Sequence, residues 1–365
     1  MAIVLQSVAA MLIARPGHVF VMSILLGGAV TGCVETVDEK PIAAPDVDAI
    51  AGCAPTTPAA DARLTGVWIA PGGAVWAVGD GGLVGRRTND RWTWCDAAGG
   101  VDLSAVWGVD DDDVWITGAA GTVLRWRGDA FDAIDVDATA DLTGIWGASP
   151  THVFVVGDGG VVRYHDGVGW RTVDVPADEL GAVWGASAFD VWIGGRRRTT
   201  TTTPTGAEHA KCEATIDRWN ATTRTFVREH AFVQEHGACG IFGLGGSGPA
   251  DVWAVGTEFP AGSAAPFAFA AHHDGTQWSR ATPPDEELTI DRTFLDVAAH
   301  APGAEDGAWV VGQGTSAVRR NAGAWSSADD TTADLADIDA RGGSMFAVGA
   351  EVKILRWSGT DWVRE

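Results

Sequence analysis

The apolar residues of this chain fall in short runs between Gly/Asp turns, and the runs recur. Residues 103–126 read LSAVWGVDDDDVWITGAAGTVLRW, residues 142–164 LTGIWGASPTHVFVVGDGGVVRY, and residues 335–357 LADIDARGGSMFAVGAEVKILRW. Copies begin near 64, 103, 142, 180, 238, 294 and 335, so the period is about forty residues over 64–365. An aromatic followed three residues later by glycine holds in every copy: Trp76/Gly79, Trp115/Gly118, Phe154/Gly157, Trp192/Gly195, Trp253/Gly256, Trp309/Gly312 and Phe346/Gly349. Upstream stands a β-branched residue: Val67, Val106, Ile145, Val183, Ile241, Val297 and Ile338. Downstream comes an arginine, as Arg86, Arg125, Arg163, Arg218, Arg319 and Arg356. Copy five carries Ala271, His272 and His273 there instead.

Runs of Val, Ile and Trp between turns are strand chemistry. Each copy holds four such runs, here called strands a to d. No segment keeps a 3.6-residue apolar period with caps, so helix should be scarce. GDGG at 79–82 and 157–160 suits tight b–c hairpins, because Gly and Asp tolerate positive φ. Four strands repeated over this period predict an all-β, seven-bladed β-propeller with four antiparallel strands per blade. Blades are sandwiched between neighbours, so runs such as VWAV and VFVV need not alternate with polar residues. The 18 Trp supply large rigid packing surfaces.

Upstream of the repeats the pattern changes. Residues 1–32 carry Arg15 and then the apolar run 19–30, too short to span a membrane as a helix. The run ends in Val30-Thr31-Gly32-Cys33, which resembles the bacterial lipobox. By that resemblance residues 1–32 are a lipoprotein signal peptide and Cys33 carries the lipid. Val34 after the cysteine implies outer-membrane sorting by the enterobacterial rule. Residues 33–60, rich in Pro, Ala, Asp and Thr, read as a flexible tether, and 61–365 as the propeller.

The net charge of −23 disfavours nucleic acid and anionic lipid as partners and favours solubility. Export permits disulfides. Cys53, Cys95, Cys212 and Cys239 remain after Cys33, and four cysteines leave three connectivities. Strands alternate in direction, so b–c and d–a loops share one face of the ring. Cys212, in the b–c region of copy four, and Cys239, at the entry to copy five, meet there. Cys53 precedes strand a of copy one, and Cys95 ends its strand d. The expected bridges are therefore Cys53–Cys95 and Cys212–Cys239.

Candidate chemistry is sparse. The repeated arginines read as blade elements stacked on Trp rather than an anion site. His272 and His273 lack a clear third metal ligand. Asp110 to Asp113 lacks calcium-loop spacing, so no cofactor is expected and a structural Ca2+, which so acidic a turn could hold, has no support. GLGGSG at 243–248 joins two strands and opens no helix, which rules out a dinucleotide loop. What departs from the repeat is lengthened loops in copies four and five, all on the b–c/d–a face. They bring together Arg196, Arg197, Arg198, His209, Lys211, Glu235, His236 and Glu258, a mixed patch suited to an anionic glycan or an acidic protein surface.

At LxxVWG…DVWxVGxxGxVxRW the chain resembles propellers of the BNR/Asp-box and photosystem-assembly-factor type; HDGVGW (165–170) and HDGTQW (273–278) are similar to worn Asp-boxes. The class includes sialidases, which use an arginine cluster and a tyrosine nucleophile. The single tyrosine here, Tyr164, stands in the slot held by Trp126 and Trp357, which implies a structural role. The expectation is a non-catalytic, monomeric, envelope-anchored lipoprotein that binds a protein or glycan. The alternatives are a carbohydrate-active enzyme (sialidase-like or lyase) and an assembly factor for an envelope complex.

Overall fold

A computed structural model describes residues 50–202, 208–234, 238–259, 263, 265–283, 292–301, 307–327 and 334–365. Among these residues the chain forms seven four-stranded antiparallel sheets in sequence order. There is no α-helix among them, only two 3-10 turns, Asp80–Gly82 and Ala119–Gly121. The fold is a seven-bladed β-propeller. The innermost strands a are Leu64–Ile69, Leu103–Asp110, Leu142–Ser149, Glu179–Ser187, Cys239–Gly248, Thr293–Ala299 and Leu335–Arg341. Each packs beside the next, and the last beside the first, around a central channel.

The buried core is seven apolar clusters, one at each junction between blades. The aromatic column supplies each of them: Trp76, Trp115, Phe154, Trp192, Trp253, Trp309 and Phe346 lie on strand b, each at most 2 % exposed, and face the next blade. Removing one such ring costs about 3–5 kcal/mol. The paired glycine has a different cause. A Cβ at Gly118 would sit 2.4 Å from the Asp102 carbonyl oxygen, and one at Gly256 would sit 1.9 Å from that of Gly240. The backbone entering strand a passes too close for any side chain. In blades 1 to 4 a second relay runs inside the first: the rings of Trp68, Trp107, Trp146 and Trp184 lie against Gly108, Gly147, Gly185 and Gly246 of the following blade.

Register corrects three sequence readings. Ile241 pairs with Gly256 as Leu64 pairs with Gly79, so Leu244, not Ile241, holds the Val67 column in blade 5. Gly245 occupies the tryptophan slot there, so no ring marks the register of GIFGLGG. Tyr164 pairs with Phe154 as Arg125 pairs with Trp115, so Tyr164 fills the arginine slot and His165 the slot of Trp126. Arg163 accordingly lies one place out of its column and donates to the carbonyls of Val136 and Asp137. Within the stretch read as tether, Ile50 is buried between blades 1 and 2. The Thr56 amide donates to the Trp94 carbonyl at 2.9 Å. Ile50 and Thr56, upstream of the expected start at 61, therefore pack with the blades. Residues 1–49, with the signal peptide and Cys33, lie outside the described residues.

Candidate functional site

Blade 4 departs most from the repeat. Its strands b, c and d are Asp190–Thr202, Glu208–Asn220 and Thr225–Gln234. Strand a pairs with strand b only as far as Glu179↔Arg196. Strands b and c stay paired to Thr202↔Glu208, and strand d follows as far as Cys212↔Gln234. An arm thus projects beyond the blade on the b–c/d–a face. Among the described residues no strand pairs with its inner edge along 197–202; the Arg198 amide there donates to Asp178 Oδ2 at 2.6 Å. The run RRRTTTT is rich in β-branched Thr, which favours continued extension.

The arm is fixed to blade 5. Cys212 and Cys239 form a disulfide with Cα atoms 5.8 Å apart; Cys53 and Cys95 form the other, also at 5.8 Å. Phe232 packs edge-to-face against Phe269 with centroids 4.7 Å apart. Glu258 accepts two bonds of 2.6 Å from Arg280 and one of 2.7 Å from Gln234. The bond to Glu258 raises the pKa of Arg280.

The structure sorts the sequence-predicted patch. Arg197 and Arg198 are exposed on the arm. Arg196 forms an ion pair with Glu179 and lines a cavity of about 110 Å³ with Asp158, Leu180 and Phe242. Burial, with the nearby charges of Glu179 and Asp141, raises the pKa of Asp158. Glu258 is a tie between arm and blade rather than an open ligand group. Lys211 pairs with Thr199 across the arm, and His209 pairs with Thr201. Glu235 and His236 lie outside the described residues.

The arginine column is structural. Arg125 stacks on Trp115 at 4.4 Å and makes two bonds of 2.7 Å to Asp113, while Arg218 stacks on Trp192 at 4.7 Å and bonds Asp190 at 2.7 Å. His272 stands in this column in blade 5, with Nε2 2.7 Å from Asp251 Oδ1. His273, the next residue along the strand, points to the opposite face. It is buried against Trp192 and Trp278, so the two histidines cannot share a ligand. Asp113 belongs to Arg125, and the Asp112 amide donates to Asp110 Oδ1 at 2.9 Å, so the four-Asp run is a hairpin tip. The Tyr164 phenol is buried and stacked on Phe154 at 4.5 Å.

One group escaped the sequence reading. The central channel encloses about 440 Å³. Trp107, Trp146, Trp184 and Phe242 line it on blades 2 to 5, and Asp296 and Asp337 on blades 6 and 7. Asp296 and Asp337 hydrogen-bond to each other, and burial with mutual repulsion carries Asp296 well above the usual carboxylate range. Burial also raises Asp337, and it pushes Asp339 up to about 6. In blades 1 to 5 the column of Asp296 and Asp337 holds Gly66, Ala105, Gly144, Ala182 and Gly243. An acid in a column of small residues was the available signal.

No family model matches the sequence, and no curated protein matches it. Solved structures do. YCF48 from Cyanidioschyzon merolae is 15% identical, with TM-score 0.54, over 84% of this chain and 99% of that one. The RRP9 WD40 repeats are 11% identical, with TM-score 0.59, over 82% and 90%. A GH74 xyloglucanase from Xanthomonas campestris is 12% identical, with TM-score 0.58, over 83% of this chain and 53% of that one. At these identities the likeness is one of fold.

Proposed function

We propose that this chain is a non-catalytic binding propeller of the bacterial cell envelope, held to the outer membrane by a lipid on Cys33. It captures a protein partner on the b–c/d–a face of blades 4 and 5. The observation that carries this reading is the blade 4 arm. Its strand b runs past the end of strand a and is held through strand c by Cys212–Cys239, so that among the described residues no strand pairs with 197–202 on the inner side. Such an edge accepts an extended segment as an added strand, with main-chain bonds giving affinity. Exposed Arg197 and Arg198 favour acidic residues in that segment. An assembly factor for an envelope complex would use the same surface; likeness to YCF48 in fold is compatible with either role.

The test is capture from envelope extract by the chain lacking residues 1–46, with a glycan array beside it. Arg197→Ser with Arg198→Ser should reduce capture at least about fivefold and shift Tm by no more than about 2 °C. Arg196 is left intact because its loss would break the Glu179 pair. Undiminished capture would remove the arm as the site, and binding on the array alone would replace the protein partner by a glycan. For the anchor, Cys33→Ser in the full chain should abolish acyl labelling and release the protein from membranes. Persistent labelling would overturn the lipobox reading.

A carbohydrate-active enzyme, the alternative reading, would have to use the channel carboxylates, and their geometry speaks against it. Glycosidases of the usual kind hold two carboxyls about 5 to 9.5 Å apart around the scissile bond. Asp296 and Asp337 are hydrogen-bonded to each other, so no sugar oxygen or water fits between them. Their bonds to neighbouring backbone give them other work.

A further inference from the structure

Six of the seven blade junctions join blades that follow each other along the chain. The seventh, blade 7 to blade 1, has no such connection, and no strand is shared across it. Innermost strands meet edge-on at the channel, where main-chain groups lack a ladder partner. Elsewhere small side chains and hydroxyls bridge them: Thr65 Oγ1 donates to the Leu103 carbonyl at 2.7 Å, and Thr143 Oγ1 to that of Leu180 at 2.6 Å. At the chain-end seam carboxylates replace them. The Val67 amide donates to Asp337 Oδ2 at 2.6 Å, and the Ile69 amide to Asp339 Oδ2 at 2.7 Å. Residues two apart on one strand thus serve amides two apart on the other, and the carboxylates stand where strand carbonyls would. Asp296 Oδ2 takes the Ile338 amide at 3.1 Å in the same way, one junction earlier.

We propose that Asp337 and Asp339 form the clasp that closes this ring, and that their deprotonation loosens it, making the blade 7–blade 1 seam the place where the propeller opens as pH rises. The charged groups around the clasp are few. Strand a of blade 1, LTGVWI, carries none, and Arg63 before it lines the channel. Strand a of blade 6 brings Asp296, and strand a of blade 7 brings Arg341, which partly offsets the charge on Asp339. Strand b of blade 7, SMFAVG, carries none. Asp296, Asp337 and Asp339 therefore lie close together with little cationic compensation. The amides of Val67 and Ile69 by themselves favour the charged carboxylates, but burial and the neighbouring acids outweigh them, and a carboxyl raised by folding favours the closed state while protonated. Its contribution is full below the ordinary value of 3.8 and is lost as pH climbs through about 6, the value for Asp339. Across the rest of the seam Arg87 of blade 1 pairs with Glu365 of blade 7 at 2.9 Å and stacks on Phe346, the Val352 amide donates to the Ala62 carbonyl at 2.8 Å, and Leu64, Val67, Phe346 and Val348 pack together.

The experiment is hydrogen exchange on the full chain at pH 5 and pH 7.5, corrected for intrinsic rates. It compares the peptide 64–69 with 142–149 of blade 3, where no carboxylate bridge exists. Displacement of one carboxyl to about 6 couples closure to protonation by at most ~100-fold, and channel water screens part of it. The expected result is a loss of protection of about tenfold at 64–69 and none at 142–149. Asp339→Asn keeps an acceptor for the Ile69 amide without the charge, and should flatten that pH dependence. If the variant does not fold, Asp337→Asn and the wild-type comparison of the two peptides still decide. Equal changes in both peptides, or a folded variant that keeps the wild-type slope, would overturn the clasp.

Discussion

A single backbone approach accounts for the most regular column in the chain. Glycine follows the strand b aromatic because the carbonyl entering strand a occupies the space of a Cβ, not because the turn needs a left-handed residue. Gly118→Ala should therefore cost about 2 kcal/mol or more, with the 2.4 Å clash to Asp102 forcing strand a away. Gly248→Ala is the control: no atom lies within 4 Å of the added Cβ, and its stability should match wild type. Urea melts of the two variants check the pair. The glycine column was legible in the sequence; its cause was not, because the carbonyl comes from a residue some sixteen positions upstream in blade 2 and reaches it only in the folded sheet.

Elements divide into those that repeat and those that do not. Blades 1 to 3 follow one pattern, and their register could be read from Trp68, Trp107 and Trp146. Where the ring is missing, as at Gly245, alignment slipped by three residues. In blade 3 it slipped by one, since Arg163 and Tyr164 are neighbours and only pairing with Phe154 shows which faces the aromatic. The arm of blade 4 rests on its disulfide, Phe232 and Glu258. Cys212→Ser with Cys239→Ser should lower stability by about 3 kcal/mol on the loop-entropy estimate for a separation of 27 residues. Limited proteolysis should then cut first within 196–234, leaving the other blades protected. A variant as stable and as resistant as wild type would show that the arm is held by packing alone.

Over the whole molecule, charge and burial act together. The net charge of −23 repels itself at neutral pH, and acidification relieves it. Asp296, Asp337, Asp339 and Asp158 are raised by folding, so their contribution is greatest below 3.8 and declines as pH rises. Asp251 runs the other way: burial raises it, but three hydrogen bonds, from His272 and from the Ser247 hydroxyl and amide, with the charge of His300, hold its pKa down to about 2, so its contribution is present above 3.8 and lost as pH falls through 2. Tm should therefore rise from pH 8 to pH 5 and fall again below pH 3. Salt at 0.5 M or so screens surface repulsion more than it screens the part-buried channel acids, so part of the rise should survive it. A Tm that is flat between pH 5 and 8 in high salt would contradict the channel assignment.

The repeat period, the strand content, the seven aromatic/Gly pairs and the two cysteine pairings followed from sequence alone. Each rests on local chemistry that recurs: turns at Gly/Asp, β-branched runs, and alternating strand direction that sends b–c and d–a loops to one face. The functional candidates were legible only as departures from that repeat. Length showed that blade 4 differs, but not that Arg196 and Glu258 are already spent on Glu179 and Arg280. The clasp was invisible, because Asp337 and Asp339 read as polar residues in a worn copy. Closing the ring places them against Val67 and Ile69, 270 residues away. A ring of blades brings its first and last members together, and which side chains answer the last unpaired edge is decided only there.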